Sequence, residues 1–112
     1  MPQDWNRREI EAVVDAYFWM LGQQIAGSSF VKKAVVRNLR FGPLADRSES
    51  SVNRKLSNVS GIMELIEAPL VRGFGPSAHF QAALKEHVMS VAARRGLGNG
   101  SDRASHRRNR TS

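Results

Sequence analysis

Between Asn6 and Ala26 the apolar residues Ile10, Val13, Val14, Tyr17, Met20, Leu21 and Ile25 recur at spacings of three and four. Such steps bring them to one side of an α-helix but scatter them over both faces of a strand. A long amphipathic helix is therefore predicted, with Asp4 placed to cap its start and Gly27 to end it. Trp19 falls opposite the apolar stripe and Phe18 at its edge. Trp19 is read as packing against another part of the domain rather than as an exposed contact.

The same reasoning divides the rest of the chain. Ser29 is placed to cap a shorter helix over 30–41, with Val31, Val35 and Leu39 on one face and Lys33, Arg37 and Arg40 together at i, i+4 and i+7. Gly42-Pro43 stops that helix, because proline cannot continue it. A linker over 44–47 leads to Ser48, the cap of a third helix reaching about Glu67. On that helix Val52, Leu56, Val59, Met63 and Ile66 form a core stripe, and Ser51, Arg54, Lys55 and Asn58 form a polar stripe beside it. A short helix, a tight turn and a donor-rich helix suggest a helix-turn-helix-like unit. Residues 70–76 are too broken for a helix and read as a short, wing-like extended segment. Ser77 is placed to cap a last helix carrying Phe80, Leu84, Val88 and Val91 inward, with Arg94 and Arg95 near its end. From Gly96 onward little is apolar, and disorder is expected.

The expected fold class is thus mainly α. It is a compact four-helix domain over residues 1–96, with a disordered, Arg-rich tail over 97–112. At 112 residues the chain suffices for one core but not two.

No catalytic constellation is evident. Cysteine is absent, which removes thiol chemistry and Cys-based metal sites. His79 and His87 lie eight apart, off the i, i+4 spacing of helical metal pairs. Glu9, Glu11 and Asp15 read as a solvated face beside Arg7 and Arg8, and Asp46 and Glu49 as groups that orient arginines. No cofactor is expected. The polar N-terminus and the lack of a long apolar run predict a cytoplasmic protein with no membrane partner.

Charge is more informative. Seventeen Lys/Arg face ten Asp/Glu, and the excess lies in two islands. Residues 32–55 hold seven basic residues against Asp46 and Glu49, and residues 94–112 hold six Arg against Asp102. Basic islands on a nearly neutral body point to a polyanion, DNA or RNA. Lys and Arg would neutralise phosphates, Ser hydroxyls would add neutral contacts, and Asn58 has the amide that pairs with an adenine edge. A buried Asn58 bridging helices is the competing reading.

Several of these residues also form a pattern. Trp5, Glu9, Val13, Tyr17-Phe18 and Met20-Leu21 precede Gly27, Phe30, Lys32, Arg37 and Leu39. Leu44, Arg47-Ser48, Ser51-Val52, Lys55 and Asn58-Val59-Ser60 follow, and Gly73-Phe74-Gly75-Pro76 closes the run. Residues 5 to about 76 thereby resemble the N-terminal head domain of McrA-type, modification-dependent HNH endonucleases, the ScoMcrA-like head domain. The specific part is R-S-x2-S to N-V-S. The chain departs from the pattern at Asn53 (usually Glu), Arg54 (usually aromatic), Gly61 (usually Ala), Gln24 (usually an acid) and Phe74 (usually Tyr).

The resemblance implies a DNA-reading accessory domain of a restriction system, lacking the HNH nuclease. The expectation is a non-catalytic module that binds double-stranded DNA, including base-modified DNA. Arg47, Ser48, Ser51, Arg54, Lys55, Asn58 and Ser60 would face the duplex, with Lys32, Arg37 and Arg40 on phosphates. The alternatives are an interaction module that dimerises or docks an HNH nuclease partner through Trp19 and the apolar edge of the first helix, and a truncated gene remnant.

Overall fold

The computed structural model describes residues 4–98. Four helices follow in order: α1 (Arg7–Ile25), α2 (Lys32–Phe41), α3 (Glu49–Leu65) and α4 (Ala82–Arg94), and no strand occurs among the described residues. Helices α1, α3 and α4 each pack on the other two, while α2 lies mainly against α3. The mainly helical reading holds. The tail expected to be disordered lies outside the described residues from position 99, but its first two positions do not fit that expectation. Leu97 packs on the core and Gly98 sits against Ile66, so the ordered unit runs past the boundary placed at 96.

The apolar stripes explain the packing. Ile10, Val13, Val14, Tyr17, Met20 and Leu21 of α1 meet Val52, Leu56, Val59 and Met63 of α3 and Leu84, Val88 and Val91 of α4 in one buried cluster. Phe18 joins them, with the Arg95 guanidinium 5.2 Å from its ring centre. Ile25 and Val31, expected inward, are exposed. The inner face of α2 is carried instead by Val36 and Leu39. Leu44, assigned to a linker, is fully buried, so the seven residues between α2 and α3 form a packed connection of successive turns. That connection is longer than the three or four residues of a helix-turn-helix turn.

Several helix starts differ from expectation. Asn6, not Asp4, caps α1 in a reciprocal capping box: its side chain accepts from the Glu9 N–H at 2.9 Å, and the Glu9 carboxylate accepts from the Asn6 N–H at 2.9 Å. Helix α2 begins at Lys32 without a side-chain cap, so Ser29 lies outside it. Ser48 caps α3 as expected, accepting from the Ser51 N–H at 3.1 Å. Ser77 does not cap α4, which starts five residues later, at Ala82. Its N–H donates instead to the Ser57 carbonyl at 3.1 Å, which lays the 77–80 stretch along α3.

The segment 70–76 does not project as a wing. Its backbone groups are taken by side chains of the body rather than by a strand. The Gln24 amide donates to the Leu70 carbonyl and its oxygen accepts from the Arg72 N–H, both at 2.8 Å. Tyr17 Oη accepts from the Val71 N–H at 2.9 Å, and Lys32 Nζ donates to the Gly73 carbonyl at 3.0 Å. Val71 and Phe74 are buried beneath.

Candidate nucleic-acid interface

The polar stripe expected on α3 is cut short. From Asn58 to Met63 six consecutive residues are buried, because the 77–80 stretch, α1 and α4 enclose the second half of the helix. Asn58 is 4 % exposed, and its Oδ1 has no hydrogen-bond partner among the described residues. Ser60 is fully buried, with its hydroxyl 2.7 Å from Tyr17 Oη. The expected placement of Asn58 and Ser60 on the DNA-facing side is corrected accordingly: neither presents a polar group to a duplex. A helix with one apolar stripe carries no signal that a later segment will wrap its other side.

Other expected contacts are held by the protein itself. Arg47 grips Glu9 bidentately, Nη2 to Oε1 at 2.7 Å and Nε to Oε2 at 2.9 Å, and also donates to the Asp4 carbonyl at 3.3 Å. Its guanidinium and the Lys55 ammonium each lie 4.9 Å from the centre of the buried Trp5 ring. Burial holds Lys55 below its ordinary pKa, and the Arg47 charge adds to that. Glu9 is held below the usual carboxylate range, chiefly by the Arg47 hydrogen bond, against the raising effect of burial. It is thus a buried partner rather than part of a solvated face, and it rather than Asp46 or Glu49 orients Arg47. Ser48 and Ser51 bond to each other at the α3 cap. Lys32 is drawn over the Phe74 ring, 5.0 Å from its centre.

What remains exposed forms a different site. Arg37 and Arg40 stand on the outer face of α2 with Lys33, and Arg54 stands on the exposed start of α3. Arg40 Nε donates to the Arg47 carbonyl at 2.8 Å, whereas Lys33, Arg37 and Arg54 make no hydrogen bond or ion pair with the described residues. Lys33, Arg37, Arg40, Phe41 and Glu49 line a groove of about 370 Å³ between the two helices, with Val36 beneath. A second hollow shares Lys33, Val36 and Glu49 and runs on past Asn53 and Ser57 to Gly73 and Phe74. Glu49, Asn53 and Ser57 fall at i, i+4 and i+8, a face of α3 that the polar stripe of the sequence reading did not include. Phe41 and Asn53 were likewise missed; the signal for Phe41 was an aromatic residue among basic ones just before Gly42-Pro43.

The opposite side of α2 is apolar. Trp19 is 51 % exposed and meets Phe30 edge-on, ring centres 6.1 Å apart. The two border a groove of about 470 Å³ closed by Val31, Ala34, Val35, Leu39 and Pro43. Trp19 therefore packs within the domain on one edge only. Among the described residues no cluster of three or more His, Cys, Asp or Glu is placed to hold a metal, and no helix is long and apolar enough to cross a membrane. No family model, curated protein or solved structure matches this chain.

Proposed function

We propose that this protein is a non-catalytic DNA-binding module of the kind the head-domain resemblance implies, and that it takes the phosphate backbone into the groove between α2 and α3. The observation that carries the reading is the segregation of charge. Lys33, Arg37 and Arg40 project from one face of a short helix, Arg54 stands on the adjoining start of α3, and among the described residues Glu49 is the one carboxylate lining the groove. A structural role would pair these cations internally, as Arg47 is paired. Lys33, Arg37 and Arg54 instead keep their charge in solvent, where phosphate contact is supported by counterion release. Exposure of Glu49, Asn53 and Arg54 at the start of α3 suits the same role, because recognition helices reach bases with their N-terminal residues.

Arg37→Ala is the direct test, with Arg54→Ala beside it. Each variant should fold as the wild type does and bind every duplex more weakly. Each should flatten the dependence of log affinity on log salt by about one unit, the signature of one lost phosphate contact. Anisotropy titrations on one matched duplex across a salt series measure both quantities. Wild-type binding that is absent, or indifferent to salt, would sink the proposal and leave the interaction-module reading, to which the apolar groove beside Trp19 lends itself. Base-modified duplexes run in parallel determine whether modification is sensed.

A further inference from the structure

The exposed ring of Phe41 is unexplained by backbone binding. It ends α2, is 80 % exposed, and lies in the same groove as Lys33, Arg37 and Arg40. Leaving a phenyl ring in water gives up the gain of burying it, and the core does not need it. A basic groove with an aromatic face is the arrangement that binds nucleic acid with its bases unpaired: cations track the phosphates while a ring stacks on a base. The groove adds a second asymmetry. Glu49 faces its three cations without forming a hydrogen bond or ion pair with any of them. A carboxylate among phosphate-binding cations opposes backbone affinity, but it is the acceptor that an exocyclic amino group requires, as on cytosine N4. The groove volume of about 370 Å³ is within the range of small-ligand sites.

The geometry points to an unpaired nucleobase as the occupant of this groove. The base stacks on Phe41 and donates its amino group to Glu49, and its flanking phosphates lie on Lys33, Arg37 and Arg40. This inference rests on the reading of the groove as a nucleic-acid interface and names the ligand of that same site. An amino-bearing base such as cytosine fits better than thymine, which has no exocyclic amino group to offer the carboxylate.

The experiment compares full-length wild type, Phe41→Ala, Phe41→Trp and Glu49→Gln on four labelled probes. The probes are a matched duplex, the same duplex with one unpaired cytosine, the same with one unpaired thymine, and the single strand. Wild type should bind the unpaired cytosine more tightly than the matched duplex. Phe41→Ala should lower that ratio about ten-fold or more, the loss expected when one base loses its stacking partner, and Phe41→Trp should preserve it. Glu49→Gln should raise overall affinity by removing a negative charge while narrowing the preference for cytosine over thymine. Leu65→Ala, an exposed apolar residue outside the groove, controls for general stickiness and should leave the ratio unchanged. A single strand that binds as tightly as the interrupted duplex would identify a single-stranded stretch as the source of the base; weaker binding would identify a base extruded from duplex. Salt-dependent wild-type binding that ignores the unpaired base, or a Phe41→Ala ratio equal to wild type, overturns this inference and leaves the backbone interface standing. No salt-dependent binding to any probe overturns both.

Discussion

Gly61→Ala is expected to destabilise the protein by about 3 kcal/mol, at the upper end of what overpacking a core costs, and to lower its Tm by roughly 10–20 °C. A Cβ on Gly61 would lie 2.0 Å from the Ser77 carbonyl oxygen and 2.9 Å from its carbon, both backbone atoms. A side chain could rotate away; this backbone cannot, because the Ser77 N–H is tied to the Ser57 carbonyl one turn earlier on α3. Relief would require the 77–80 stretch to lift and uncover Asn58. Gly22→Ala supplies the opposite sign. Gly22 lies within α1, is exposed, and has nothing within 4 Å of its would-be Cβ. The substitution removes only the helix penalty of glycine and should stabilise by roughly 0.5–1 kcal/mol. Thermal melts of the two variants side by side test the assignment. Equal tolerance of alanine at both positions would refute the close approach at Gly61.

Gly61 also shows where sequence reasoning stops. Its departure from the usual Ala of the head-domain pattern was visible, but its consequence depends on a segment sixteen residues away in sequence. The core stripe of α3 was legible because Val52, Leu56, Val59 and Met63 share one helical face whatever packs on them. The polar stripe was not, because Asn58 and Arg54 look alike in a helical projection and only the fold decides which is covered. Arg37 and Arg40 were correctly placed in the open, since α2 buries just Val36 and Leu39 and its remaining faces are accessible by default. Ser29, Ser77 and Asp4 were misplaced as caps because a capping side chain near a helix start does not by itself fix that start: α1 uses Asn6, and α2 and α4 begin without any side-chain cap. At α4 a tertiary contact acts instead, because the Gln81 side chain exchanges two hydrogen bonds with the Trp5 backbone, at 3.0 and 3.3 Å, and fixes the helix start beside α1.

Glu9→Ala is expected to cost roughly 2–3 kcal/mol, somewhat below the ~3–5 kcal/mol for breaking a fully buried ion pair, because the Arg47 side chain keeps 19 % exposure. The Glu9 carboxylate closes the capping box at the start of α1 and holds Arg47, the residue just before the α3 cap. It thereby locks the starts of two helices together, with the Trp5 ring against both Arg47 and Lys55 as the apolar half of the joint. The pH dependence has a determined sign. The folded-state pKa of Glu9 lies below its reference value of 4.5, so the unfolded chain takes up this proton first as acid is added. The contribution of the pair is complete above about pH 4.5 and is lost as pH falls through the lower folded value. Wild type should therefore lose more stability than Glu9→Gln between pH 7 and about 3, with the two curves converging at the acid end. Glu9→Gln keeps the cap acceptor but no charge, so its deficit at neutral pH isolates the ion pair from the capping box. Curves for wild type and Glu9→Gln that run parallel across the acid range would show that the pair contributes nothing to the joint.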